Sequence, residues 1–331
     1  MRQLRYAGHS QIAFNVVPDP RPAPGEVIVQ TVFSAICGSE LHTYRGEGMP
    51  QGNNGHEAVG VVAELGEGVT NLTPGQRVGV SCVAGCGTCN YCRQGQYTWC
   101  TNHMFYGNMH AERFVAAASA CHPLPDDIGW EAGVLLTGDG LGVPYHTSRK
   151  ISSPEFYTIA VFGVGPIGLG NVMIQSHLGR RVIAVDLSEK RLQLARELGA
   201  EDIVHAPQED PVKTIHSLTD GKGADVCIEA AGEPETALAC FQAVRTAGTV
   251  VFNGEQKAVP LSPSDQFIRR DITAVGAWFY HFSEFSHMLE LYRHGLAIEN
   301  LITHRFSFHN AADGYAMHAA AQTGKVLLNY Q

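Results

Sequence analysis

Thr158-Ile-Ala-Val-Phe162 runs directly into Gly163-Val-Gly-Pro-Ile-Gly168, and no other feature of the chain restricts its fold so tightly. The apolar run reads as a short buried strand. Ile167, Leu169, Val172, Met173 and Leu178 then recur at near-helical spacing up to Gly179, a helix stop. Arg181-Val-Ile-Ala-Val-Asp186 reads as the next strand, ending in an acid 18 residues past Gly168. A G-x-G-x-x-G alone carries little weight. Here strand, glycine turn, helix, strand and terminal acid follow in the order that a dinucleotide site requires. Gly163 permits the tight turn, Gly165 lets backbone amides approach a pyrophosphate, and Gly168 lets helix and strand pack closely. With Pro166 and Ile167 they form the candidate cofactor-binding turn, at a helix N-terminus that favours phosphate. Asp186 can accept both adenosine ribose hydroxyls and would repel a 2′-phosphate. Arg191, five residues on, could hold such a phosphate, but a carboxylate facing it in a desolvated niche costs several kcal/mol. The expected cofactor is therefore NAD, with Arg191 contacting the ribose.

The α/β pattern continues. Ser188 can cap a helix carrying Leu192, Ala195 and Leu198 on one face and stopped by Gly199. Asp225–Glu229 and Gly248–Phe252 read as strands flanking a helix from about Pro234 to Ala247, and Asp271–Gly276 as a further strand. Such alternation predicts a doubly wound parallel sheet over residues 149–285. The first 145 or so residues differ. Glu26–Val32, Gly55–Glu64 and Gln76–Val80 are short strand-like runs separated by turns such as Thr73-Pro-Gly75. Pro18, Pro20, Pro22 and Pro24 suit an extended entry segment. This region reads as mostly β.

Four of only 9 cysteines fall within fifteen positions, at Cys86, Cys89, Cys92 and Cys100. No secretory signal or bilayer-spanning apolar run is read in the sequence, so the expected compartment is a reducing one, the cytoplasm, where thiols persist. Packed small hydrophobes or a redox pair are the bland explanations. Two C-x-x-C steps sharing a cysteine instead suit tetrahedral zinc, and four thiolates leave it no open position. The site should hold the lobe at 82–100 in shape without doing chemistry. Arg93 is the sole cation between the first and last cysteine, and the net charge is -9. Both argue against a nucleic-acid partner.

Residues with chemical potential lie between the β runs: Cys37, Ser39, Glu40 and His42 in one segment, His56 and Glu57 in another, Asp139 between two glycines. Singly, each has a structural reading: a core thiol, a turn histidine, a helix cap. Together with the four cysteines, the glycine turn, Asp186 and Ile302-Thr-His-Arg-Phe306 they form an ordered set. In that set the chain resembles, over essentially its whole length, the zinc-containing medium-chain dehydrogenases of alcohol, sorbitol and threonine. The resemblance implies an α/β protein with a GroES-like, mostly-β catalytic domain (1–148 and 286–331) and a Rossmann NAD-binding domain (149–285), the active-site cleft between them. It implies two zinc ions per chain. Cys37, His56 and Asp139 would ligate the catalytic one, with Glu57 ligating directly or through water. Cys86, Cys89, Cys92 and Cys100 would hold the structural one. Ser39 and His42 would relay the alcohol proton.

Three departures from the family pattern stand out. Glu40 replaces the usual Asp, with a longer arm towards His56. Only ten residues, Thr101 to His110, separate Cys100 from Ala111, so Met104, Phe105 and Tyr106 would either wall the substrate pocket differently or serve as ordinary loop anchors. An acid, Asp139, stands where liver-type alcohol dehydrogenases have a cysteine, which points to the polyol, sugar and threonine branch. The expected function is hydride transfer between a secondary alcohol (polyol, cyclitol or sugar) and NAD. The alternative is a zinc-dependent threonine, simple alcohol or aldehyde dehydrogenase. A zinc-free quinone or enone reductase would lack the Cys37, His56 and Asp139 set, and a non-catalytic binding protein need not keep Ser39 and His42. Partners should be small-molecule substrates, without membrane or nucleic acid, and a second copy or more of the chain as homodimer or homotetramer.

Overall fold

The computed structural model describes residues 1–330, which divide into two compact units. The first comprises Met1–Gly142, Tyr280–Ala320 and the chain from Lys325 on; the second comprises Val143–Phe279 and Ala321–Gly324. Among the described residues, no helix is long and apolar enough to cross a membrane.

The first unit is built on a seven-stranded sheet. Its order is Ile302–Ser307, Lys325–Asn329, Glu26–Ile36, Ala58–Leu65, Arg77–Val80 and Cys121–Pro123, with Arg113–Ala117 also pairing with Glu26–Ile36. Glu26–Ile36 is buried almost throughout, which explains its near-continuous apolar run: it has neighbours on both edges and packing on both faces. Gly75, at φ 84°, turns the chain into Arg77–Val80 in a conformation that favours glycine. Gly55 to Glu57 do not join the strand that follows; pairing begins at Ala58, because the preceding loop is held by side-chain bonds described below.

The cysteine lobe is an excursion from this sheet. Val83–Ala84 pairs with Met104–Phe105, Cys89 caps the single turn Asn90–Arg93, and a 3₁₀ turn covers Tyr97–Trp99. The lobe is anchored on residues 281–283. Thr98 Oγ1 lies 2.8 Å from His281 Nδ1, Trp99 meets the His281 ring edge-on, and Tyr97 stacks on Phe282.

The second unit is a six-stranded, all-parallel sheet in the order Asp202–His205, Arg181–Asp186, Thr158–Phe162, Ala224–Glu229, Val244–Phe252 and Thr273–Gly276. Strand order reverses beside Thr158–Phe162, the topological switch at which open α/β sheets take ligands. Two boundaries differ from the sequence reading. The helix from Pro234 ends at Ala243, because Val244 is already buried in the sheet opposite Ala224. Ala247, at φ 54°, lies at the irregularity between that pair and the regular register from Thr249. The last strand starts at Thr273, since Asp271 sits at φ 50° and cannot extend it.

Candidate active site

In the second unit Gly163 (φ 83°) makes the turn out of the first strand. Gly165 is the N-cap of the helix Pro166–His177, with Pro166 at the first position, where its missing N–H costs nothing. A Cβ on Gly168 would lie 2.0 Å from the Gly163 carbonyl oxygen, so the close approach of turn and helix demands glycine there. Asp186, at the end of the next strand, accepts from the Val164 N–H (2.7 Å) and the Ser188 N–H (2.8 Å). Both oxygens are thereby oriented beside the turn, each with a lone pair left for a ribose hydroxyl. Arg191 lies over the same turn: its Nη1 is 3.7 Å from where a Gly165 Cβ would stand, and its Nε donates to the Thr323 carbonyl.

In the first unit two donor sets assemble. The sulfurs of Cys86, Cys89, Cys92 and Cys100 lie within 4.8 Å of one another, with Cys89–Cys92 at 3.4 Å and Cys86–Cys92 at 3.9 Å. All nine cysteines are free thiols. Tetrahedral zinc with bonds of about 2.3 Å places its sulfurs about 3.8 Å apart, so the set fits that ion. Thr88 and neighbouring amides bring Cys86 down to about 5, while burial raises Cys92 to about 12.

The second set is Cys37, His56, Glu57 and Asp139, all buried, with one ligand atom of each within 4.8 Å of the others. Cys37 directly follows the long strand, His56 and Glu57 lie just before Ala58–Leu65, and Asp139 opens the helix Asp139–Lys150. His56 Nε2 is 3.0 Å and Cys37 Sγ 3.7 Å from Asp139 Oδ2. His56 Nδ1 is 2.7 Å from the Asn54 carbonyl, which can only accept, so Nδ1 carries the proton and Nε2 is the metal-facing nitrogen. Burial opposes a charge on His56, yet Cys37 and Asp139 hold its pKa well above the ordinary value. A pocket that so favours positive charge, with soft and hard donors converging, suits a zinc site with a position left for substrate.

Ser39 is exposed beside this set and its hydroxyl donates to Cys37 Sγ at 3.3 Å. His42 is also exposed, on the helix Leu41–Arg45. No hydrogen bond joins it to Ser39 among the described residues. Glu40 approaches His56 without hydrogen-bonding it. Its Oε1 is 3.8 Å from His56 Nδ1, and Oε2 instead accepts from Tyr6, Tyr315 and His110.

Sequence reasoning missed Lys325. Wholly buried at the start of Lys325–Asn329, it forms an ion pair with Glu57, which keeps its pKa raised although burial works the other way. A lysine ahead of an apolar run reads as a solvent-facing strand end, so no local signal marked it. His110 likewise carries no local signal beyond closing the short loop.

One unit with a parallel nucleotide-type sheet and its glycine turn, and another, mostly β, with two sets of metal-donor side chains, are the parts of a metal-dependent oxidoreductase. Residues 166–294 match the zinc-binding dehydrogenase family and residues 23–126 the alcohol dehydrogenase GroES-like domain. The chain is 32% identical to the uncharacterized zinc-type alcohol dehydrogenase-like protein YphC of Escherichia coli K12, over 98% of this chain and 97% of that one. It is 31% identical to L-threonine 3-dehydrogenase of Pyrococcus abyssi (93% and 92% covered) and 30% to L-idonate 5-dehydrogenase of Vitis vinifera (94% and 89%). Alcohol dehydrogenase TADH of Thermus sp. ATN1 superposes with a TM-score of 0.89 over 99% of each chain at 29% identity. The chain belongs to the zinc-containing medium-chain dehydrogenase family.

Proposed function

We propose that the protein oxidises a secondary alcohol of the polyol, cyclitol or sugar class, or reduces the matching ketone, with NAD as hydride partner. The observation that carries this reading is the convergence of Cys37, His56, Glu57 and Asp139 within 4.8 Å, with the Ser39 hydroxyl 3.3 Å from Cys37. When bound, zinc would acidify the substrate hydroxyl and the nicotinamide would accept the hydride. Cys37, His56 and Asp139 are the ligands we assign to the catalytic ion. Glu57, tied to Lys325, is the carboxylate beside them. Ser39, exposed next to Cys37, receives the proton released as the carbinol becomes a carbonyl, and the solvent-facing His42 passes it to water. The lobe cysteines hold the second zinc.

Asp186 supports NAD: its two oxygens are fixed by backbone amides at the end of the strand, where a 2′-phosphate would meet the charge. Asp139 in the ligand set and the similarity to L-idonate 5-dehydrogenase favour polyols, and the L-threonine 3-dehydrogenase relatives keep 2-amino-3-hydroxy acids as the second reading. We place the enzyme in the cytoplasm, a reading supported by nine unpaired thiols, as a homodimer or homotetramer to be weighed by light scattering.

The test is NADH formation across a panel of polyols, sugar acids, amino alcohols and simple alcohols, with metal analysis. Two zinc per chain and turnover with a polyol are expected. Asp186→Ser should weaken NAD and admit NADP; a wild type that already prefers NADP would overturn the cofactor assignment.

A further inference from the structure

Two of the sequence's departures, Glu40 and the short segment 101–110, meet in one buried cluster. His110, the last residue of that segment, is fully buried. Its Nε2 lies 3.1 Å from Glu40 Oε2, and its Nδ1 2.8 Å from Ser34 Oγ. Glu40 is also fully buried; burial alone would raise its carboxyl, but His110 and its other partners pull it down to about 2. A carboxylate only accepts, so Nε2 of His110 is the donor in either protonation state of the ring. Tyr6 and Tyr315 donate to the same Oε2. That oxygen is thereby drawn off His56, and Oε1 is left without a hydrogen-bond partner at 3.8 Å from His56 Nδ1.

The His110 ring also occupies the space above Gly55. A Cβ on Gly55 would lie 2.4 Å from it, one residue before His56. Its main chain is locked to the same loop. Asn53 Oδ1 accepts from the N–H groups of both Gly55 (3.1 Å) and His110 (3.2 Å), while Asn53 Nδ2 donates to the His110 carbonyl (3.1 Å). Met109 N–H donates to the Gly55 carbonyl at 3.0 Å. The loop that aims His56, with the Asn54 carbonyl on its Nδ1, is therefore held from behind by residue 110.

We propose that His110 is a positioning residue for His56: its ring and its bond to Glu40 fix the Asn53–Gly55 loop that aims the imidazole at the metal. This rests on the reading of Cys37, His56 and Asp139 as a zinc site. The group orienting a metal-bound histidine commonly changes metal affinity by about 10–100-fold when removed.

The test measures zinc release from the loaded enzyme into 4-(2-pyridylazo)resorcinol. Cys37→Ser and Cys100→Ser assign one release phase to each site. His110→Ala should accelerate the Cys37-site phase about tenfold or more and leave the lobe phase unchanged. His110→Gln, whose amide still donates to Glu40, should fall between and covers the case in which the alanine variant does not fold. Tyr330→Phe removes only the 2.9 Å bond to Ser34 at the far end of the cluster. It should lower thermal stability with neither phase altered. If both His110 variants release the Cys37-site zinc at the wild-type rate, or Tyr330→Phe accelerates it equally, the role of His110 is overturned. A wild type holding only the lobe zinc would instead remove the metal-site reading, and this inference with it.

Discussion

Gly168 and His56 show how single residues bear on this enzyme. Gly168→Ala would force a methyl against the Gly163 carbonyl, 2.0 Å away, inside the glycine turn. Overpacking of this kind costs about 1–3 kcal/mol. The urea midpoint should fall and NADH titration should weaken; an unchanged NADH affinity would show that the turn does not hold the cofactor. His56→Ala should abolish turnover, because Cys37 and Asp139 alone do not hold a catalytic ion, while NADH fluorescence titration persists. The glycine spacing around Gly168 was legible in the sequence, whereas a metal role for His56 was implied only by the family resemblance. Glu40 was half legible: the longer arm was visible, but not that Tyr6, Tyr315 and His110 would claim its oxygen from elsewhere in the chain.

The cysteine lobe and the helix Trp130–Leu136 are the elements with the sharpest expectations. The lobe's large apolar side chains are few, and Tyr91 and Trp99 are partly exposed. Metal must supply much of its folding free energy. Cys100→Ser should lose one of two zinc ions and lower the thermal midpoint, while folded enzyme turns over near the wild-type rate per active site. Loss of hydride transfer with both metals and full stability retained would make the lobe catalytic. The helix is tied to the strand Ile302–Ser307 by a two-pronged pair, Arg305 Nε and Nη2 each 2.6 Å from an oxygen of Glu131. Hydrogen bonding to Arg305 lowers the Glu131 carboxyl below its usual 4.5, so the pair's contribution is present above that pH and fades as pH falls through the lowered value. Both side chains are partly exposed, which limits the effect to about 1 kcal/mol or less. Glu131→Gln should therefore lower the urea midpoint slightly at neutral pH, with the gap to wild type closing under acid conditions. An equal gap at every pH would mean that shape, not charge, holds the contact.

For the whole molecule, the metal donors and the glycine turn lie in different compact units. Removing both zinc ions with a chelator should abolish turnover and lower the thermal midpoint, yet leave NADH titration of the folded fraction intact. Parallel loss of NADH binding would show that the second unit depends on the metals for its own fold. The sequence by itself determined the parallel sheet, the glycine turn and the clustering of the lobe cysteines, because periodicity and short spacings report structure within a few turns of chain. Cys37, His56, Glu57 and Asp139 were joined as donors only by the family resemblance. Only the tertiary structure decided what surrounds those donors. Lys325 reaches Glu57 across 268 positions because Lys325–Asn329 and Ala58–Leu65 flank the same long strand. His110 reaches Glu40 across 70 because the short loop returns beneath His56. A buried charge takes its partner from whichever strand the topology sets beside it, and no local pattern in the sequence records that neighbour.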